Sequence, residues 1–315
     1  MRLGIGTALS KTTIIDPTGI PDLVGWWDFT RANTMFQNRD ATTAVASDND
    51  PIHWIRNLAN GNGAGDKLGA FLRSAGTGST YGATFKTGGL NGKTYAQFAN
   101  DSSDSTKGLR GGYFDVDSNL DGGIATNKFS NLVLNMGNVT TITVAKHDDP
   151  TIETSNDSLF YLNGCKVGDT STASYLSAWK DQVNPDLFKS FWGEIGLGGY
   201  SFSNSDGQLD DNSHVFELRI TDGAGNMKLY IDGTINSSPG IGNEDINVDF
   251  SKTTGATAQS PAVGVGASIT MADGTTLGPW QGRIYEHMVY SRALTNTQIA
   301  LLELYLGQKY NITFS

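Results

Sequence analysis

Residues 280–312 constrain this chain most, because they combine a strand that needs cover on two faces with a helix able to supply it. Ile284, Glu286, Met288 and Tyr290 alternate with Tyr285, His287, Val289 and Ser291. Alternate strand residues lie on opposite faces. Both sets here carry large apolar groups, so the segment reads as a strand buried on most of both sides. Leu294 then precedes Thr295, with Gln298 three residues on. This is a capping box, in which the Thr295 hydroxyl serves a free helix amide and the Gln298 side chain returns to the cap. Leu294 and Ile299 are spaced for the accompanying hydrophobic staple. Ile299, Leu302, Tyr305 and Leu306 form an apolar stripe at helical spacing, and Gly307 reads as a stop signal.

The remainder of the chain reads as strands and turns. Charged residues make up 17% of the 315, and there are 39 Gly, which favours many short strands over helices. Residues 23–29 form the first convincing strand, with Trp26 and Trp27 on opposite faces. The Gly-rich segment 87–94 resembles a phosphate loop, but Thr87 stands where the first Gly should be. A strand at 95–98 follows where a helix is required, so 87–94 is a turn. Residues 139–146 make a β-branched strand, with 158–162 as its expected partner across the turn His147-Asp148-Asp149-Pro150. Tyr175, Leu176, Trp179 and Val183 are spaced as one face of a short helix. Residues 194–202 are a Gly-rich strand, 213–221 a half-buried one, and 260–269 another. Met227, Leu229 and Ile231 complete a hairpin closed by Asp232-Gly233. No linker divides the chain after an extended arm at 1–20, so 21–315 reads as one domain.

Several functions are disfavoured. Net charge is −10 and the pI is near 4.8, which repels phosphate backbones and argues against nucleic acid. No apolar run approaches the ~20 residues that cross a bilayer, so membrane insertion is not expected, and the N-terminus lacks the apolar core of a secretory signal. Cys165 is the single cysteine. No internal disulfide can form, and it reads as a turn or strand-end residue.

The segments Phe216-Glu-Leu-Arg-Ile-Thr-Asp, Lys228-Leu-Tyr-Ile-Asp-Gly233, Val263-Gly-Val-Gly-Ala and Gly282-Arg-Ile-Tyr-Glu-His-Met-Val-Tyr-Ser-Arg resemble the concanavalin A-like lectin/glucanase superfamily, in its laminin-G-like branch. Leu23-Val-Gly-Trp-Trp-Asp-Phe is similar to the first strand of such domains, and Tyr305-Leu-Gly-Gln-Lys-Tyr310 to the helix end of bacterial and phage members. The resemblance is good over 206–312 and thin over 30–200. It implies an all-β jelly roll, a two-sheet antiparallel β-sandwich with a short C-terminal helix, in which the first and last strands are neighbours. Such a pattern is far more specific for fold than for function.

Glucanases of that superfamily carry Glu-x-Asp-x-x-Glu or Glu-x-Asp-x-Glu on one strand, which sets nucleophile and acid about 5 Å apart. None of Glu153, Glu194, Glu217, Glu244, Glu286 and Glu303 is followed two positions later by Asp. Glu286 and His287 face opposite ways, and His53, His147, His214 and His287 lack metal-ligand spacing. The chain is therefore expected not to be an enzyme, with a polysaccharide-degrading hydrolase or lyase, or a free bacterial lectin, as alternatives. Trp54, Trp179, Trp192 and Tyr200 are the candidate glycan contacts. No cofactor is expected. If a metal binds, calcium suits the oxygen-rich loops at Asp101/Asp104 and Asp206/Asp210/Asp211, although solvated acidic loops explain them more simply. Leu3, Ile5, Leu9, Ile14 and Ile15 are the candidate anchors of the arm. The combined expectation is a virion surface protein, a capsid decoration or tail component. Its expected partners are virion proteins, host surface glycans and other copies of itself.

Overall fold

The computed structural model of the chain describes residues 15–38, 40–59, 71–74, 82–98, 109–111, 138–148, 157–166, 173–180, 188–194, 198–203, 210, 212–221, 227–235, 238–239, 248–249, 263–266, 268–269, 276–277 and 280–315. Among these, two large antiparallel sheets stack face to face, and one α-helix covers the back of the first. The first sheet runs in the order Thr234–Ile235, Met227–Ile231, Ser213–Ile220, Val139–His147, Gly282–Tyr290, Tyr95–Gln97, Ala83–Lys86, Pro51–Ile52. Leu23–Asp28 pairs with Gly282–Tyr290, so the opening and closing strands are neighbours, as expected. The second sheet runs Ser238–Pro239, Gly198–Ser203, Phe188–Glu194, Ala173–Lys180, Asp157–Lys166, Val263–Val265, Leu109–Gly111, Phe71–Ser74, Trp54–Arg56, Met35–Phe36.

Two apolar layers result. Trp27, Phe29, Phe98, Phe160, Phe188, Phe216, Trp280, Ile284 and Val289 fill the space between the sheets. Trp26, Ile142, Val144, Val215, Tyr285, Met288 and Tyr290 pack instead against Ile299, Leu302, Tyr305, Leu306 and Tyr310 of the helix Asn296–Tyr310. Each such side chain contributes ~1.5–3 kcal/mol by leaving water. Strand Ser213–Ile220 is accordingly buried on both faces rather than half-buried, because the helix layer covers its outer side.

The closing strand carries a bulge between Ile284 and Glu286. Strict alternation would put these two residues on one face. The extra residue breaks the alternation. Ile284, His287 and Val289 face the inter-sheet core, while Tyr285, Glu286, Met288 and Tyr290 face the helix.

The capping box forms as read: the Gln298 amide donates to Thr295 Oγ1, and the Thr295 amide donates to Gln298 Oε1. Gly307 does not end the helix. The helix continues to Tyr310, and Asn311 in the left-handed region (φ 60°) reverses the chain. The returning Ile312 carbonyl would lie 3.0 Å from a Cβ at position 307, so Gly307 serves close approach rather than termination.

Three further readings are corrected. Residues 158–162 do not pair with 139–146. Val139–His147 lies inside the first sheet between Ser213–Ile220 and Gly282–Tyr290, and Asp157–Lys166 belongs to the second sheet. Residues 175, 176 and 179 lie on the strand Ala173–Lys180, not a helix, held between two antiparallel neighbours; Val183 lies outside the described residues. The segment 194–202 belongs to two paired strands, with Glu194 opposite Gly198. The N-terminal segment also joins the body earlier than residue 21. Pro17–Gly19 forms a turn of 3-10 helix capped by Asp16, Ile20 is buried, and Ile15 packs on the helix-side layer.

Candidate functional site

Among the described residues the most charged interior cluster lies beneath the helix. Asp28 and Glu286 are direct cross-strand partners, and both are fully buried. Lys309 Nζ reaches Asp28 Oδ2 at 2.8 Å and Glu286 Oε2 at 2.9 Å. Arg31 Nε donates to Asp28 Oδ2, and the Thr30 amide and hydroxyl donate to Oδ1. Glu286 also accepts from Trp26 Nε1 at 2.6 Å, Tyr305 OH at 3.0 Å and Tyr310 OH at 2.7 Å. Every carboxylate oxygen has a donor. Burial raises Glu286 above the usual carboxylate range, Lys309 opposes that, and Asp28 adds to it. This network ties the helix to the sheet, and its acids are engaged rather than presented to a cleft.

The four histidines serve separate local roles. His147 Nε2 meets Asp157 Oδ2 at 2.7 Å, with both groups fully buried, and so pins the crossover between the sheets. Gln281 donates to both Asp157 oxygens, and Trp280 packs edge-on to the imidazole. His53 Nδ1 meets Ser74 Oγ. His287 stacks on Trp27 and meets Thr143 Oγ1, and burial lowers its pKa to about 3, so it is neutral. His214 bridges Asp232 at 2.7 Å and Asp210 at 2.9 Å. Burial pushes His214 down, but the two carboxylates outweigh it and hold it above its ordinary value.

Among the described residues no group of three or more His, Cys, Asp or Glu is arranged to hold a metal. Asp210 is occupied by His214, the Asn212 amide and the Asn212 side chain. Asp101, Asp104, Asp206 and Asp211 lie outside the described residues, as do Leu3, Ile5, Leu9 and Ile14. Ile15 packs against the domain itself. Cys165 stands near the end of strand Asp157–Lys166, opposite Ala173 and Asp249.

Among the described residues the second sheet has one face turned from the core, which the strand register defines. Met35, Ile55, Leu109, Val265, Phe160, Ala178 and Phe188 line the core side. Strand alternation and register then define the opposite face. One cross-strand row on it runs Phe36, Trp54, Arg73, Arg110, Gly264, Tyr161, Ser177, Phe191, Ser201. In adjacent rows Asn163 is in register with Tyr175, and Trp179 with Lys189. The α-helix among the described residues lies on the other sheet.

The predicted glycan residues therefore divide. Trp54 and Trp179 belong to the outer face, and Trp54 is half-buried and edge-on to Phe36 at 5.0 Å. Trp192 and Tyr200 are register partners of each other, and their side chains lie outside the described ones. The sequence reading did not single out Tyr161, and it grouped Tyr175 with Trp179 on a helical period. A period of two over 173–180 would have grouped Tyr175, Ser177 and Trp179; the helical period concealed that set.

No protein-family model matches the sequence, and no curated protein is significantly similar to it. Solved structures of related shape include a leech intramolecular trans-sialidase (18% identity, TM-score 0.38, 54% of this chain covered). This chain spans only 24% of that one. Another is the Ruminococcus gnavus IT-sialidase CBM40 bound to alpha2,3 sialyllactose (16% identity, TM-score 0.40, covering 66% of this chain and 97% of that chain). A third is domain 4 of AbnA, a GH43 extracellular arabinanase from Geobacillus stearothermophilus, in complex with arabinotriose (14% identity, TM-score 0.42, covering 89% and 98%). Likeness at this level carries no functional argument.

Proposed function

We propose that the chain is a non-enzymatic carbohydrate-binding β-sandwich that uses the outer face of its second sheet. One observation carries this reading: the strand register gives the positions of Trp54, Tyr161, Tyr175, Trp179 and Phe191 to that face together with those of Asn163, Ser177 and Ser201. Aromatic rings suit the apolar faces of sugars, and neighbouring amides and hydroxyls suit their hydroxyl groups. The fully engaged Asp28 and Glu286 support binding without hydrolysis, because a hydrolase needs its acid pair free to meet a bound sugar. Display on a phage or similar particle, among virion proteins and copies of the chain, is part of the proposal and is supported by composition alone: one Cys, 39 Gly and sparse charge.

The test is a glycan array with the purified chain, followed by Trp179→Ala and Phe191→Ala. The expected result is binding to at least one glycan, weakened about tenfold by either variant, with unchanged melting and no reducing ends released. Binding to no glycan, or release of sugar, overturns the reading. For the particle setting, the protein is sought in purified particles with and without residues 1–14, since 15–20 belong to the packed body. Its absence from particles refutes that part.

A further inference from the structure

We infer that the network beneath the helix is a modification site, in which Lys309 and Glu286 condense to an intramolecular amide with Asp28 as the base. The geometry brings the three groups into contact. Lys309 Nζ lies 2.9 Å from Glu286 Oε2 and 2.8 Å from Asp28 Oδ2. Both carboxyl groups are fully buried, and the lysine side chain is largely so. Reacting groups held about 3–3.5 Å apart gain the full advantage of an intramolecular step. Burial also withholds the water that reversal by hydrolysis would consume.

Proton positions decide whether an acid and an amine condense or pair as ions. Arg31 Nε and Lys309 Nζ both meet Asp28 Oδ2 at 2.8 Å. A guanidinium keeps its proton, whereas a buried ammonium can yield one. Asp28 and Arg31 therefore form the standing ion pair, with Thr30 donating twice to Oδ1. Glu286 and Lys309 are left to each other, as carboxylate and ammonium or as neutral acid and amine. Burial favours the neutral form of each, and it raises the Glu286 carboxyl above its usual range. The ion pair and the neutral pair are two proton positions of one network, and the neutral one condenses.

In the step itself the Nζ lone pair attacks Glu286 Cδ while Asp28 takes a proton from the nitrogen. Trp26 Nε1 at 2.6 Å and Tyr305 OH at 3.0 Å donate to Oε1, where negative charge gathers in the tetrahedral intermediate. Tyr310 OH donates to Oε2 at 2.7 Å. Oε2 carries the acid proton, receives the second from Asp28 and departs as water. One C–N bond forms, one C–O bond breaks, and nothing is oxidised or reduced. The amide oxygen retains Trp26 and Tyr305 as donors, and its N–H retains Asp28 as acceptor. The bond fastens the helix Asn296–Tyr310 to the strand Gly282–Tyr290.

The experiment is the intact mass of the full chain, fresh from purification and after prolonged incubation at neutral pH, followed by tryptic mapping after denaturation. A population lighter than the sequence by one water is expected, growing with time. Cleavage after Arg283 and Arg292 leaves Glu286 on the peptide 284–292 and Lys309 on the peptide that starts at 293. The two should be recovered as one branched peptide, uncleaved at Lys309. Asp28→Asn should slow its appearance. Lys309→Arg, which keeps a cation but offers no condensable amine, should retain its full mass. Full mass in the wild-type chain, with the two peptides recovered separately, overturns the inference whether or not any variant folds. Water loss that persists in Lys309→Arg, or that maps to an Asp–Gly sequence as a succinimide, overturns it too. A link from Lys309 to Asp28 refutes Glu286 as the acyl partner.

Discussion

Replacing Lys309 with methionine removes the cation shared by two fully buried carboxylates, Asp28 and Glu286. Deleting one partner of a buried ion pair costs about 3–5 kcal/mol, because the remaining charge is left uncompensated. Here the loss belongs at the lower end, about 3 kcal/mol, since Arg31 still holds Asp28 while Trp26, Tyr305 and Tyr310 still donate to Glu286. The loss also depends on pH. The Glu286 carboxyl is raised above its ordinary 4.5 by burial, against the pull of Lys309. A carboxyl raised in the fold holds its proton more tightly than in the unfolded chain. Stability therefore falls as pH rises from about 4.5 through the folded value. Without Lys309 that fall is steeper and extends to higher pH. Urea unfolding of wild type and Lys309→Met at pH 5 and pH 8 should show the larger gap at pH 8. Adding Glu286→Gln to the variant should recover part of the loss by removing the uncompensated charge. A loss under about 1 kcal/mol at pH 8, or one that does not change with pH, would refute the view that this network locks the helix to the sheet.

Other outcomes follow from the same interior. His214 is raised above its ordinary 6.5, Asp232 and Asp210 outweighing burial. Its stabilising contribution is complete below pH 6.5 and is lost as pH rises through the folded value, so unfolding midpoints should fall over that range, and His214→Gln should flatten the dependence. His287 runs the other way: burial lowers it to about 3, so the unfolded chain takes up a proton first and stability drops as pH falls from 6.5 towards 3. His287→Leu should remove about one proton's worth of slope between pH 6 and 4, measurable by urea titration at each pH. Gly282→Ala would place a Cβ 2.1 Å from the Lys146 carbonyl and 3.0 Å from His147 Cα, both backbone of the adjacent strand. We expect a loss of about 2 kcal/mol or more, and a variant within about 0.5 kcal/mol of wild type would contradict the close strand approach.

Some features were legible because their cause is local. The capping box needs only Thr295 and Gln298 three residues apart. The stripe Ile299, Leu302, Tyr305, Leu306 needs only the helical period, and all four are buried. Trp26 and Trp27 face opposite layers because adjacent strand residues must. The failures share another cause. Residues 158–162 look like a partner for 139–146 because they are near in sequence, yet nearness does not choose between a hairpin and a crossing to the facing sheet. At 175–179 the aromatic spacing fits a short helix, and only pairing with Asp157–Lys166 and Phe188–Glu194 on either side makes it a strand. Gly307 is a helix stop by composition, but the returning Ile312 gives it a different task.

The sequence alone determined that this chain must be strand-rich, must bury its closing strand on both sides, and must supply a capped amphipathic helix to do so. Those conclusions rest on periodicity and on spacings of a few residues. The tertiary structure decided which residues meet. Asp28 finds Glu286 and Lys309 across more than half of the chain, a bulge sends Tyr285 and Glu286 to one side, and Trp54 lines up with Arg73 and Arg110. A period of two says that alternate residues share a face. It cannot say which face is the core or which strand lies alongside, because both depend on contacts between segments far apart in the chain.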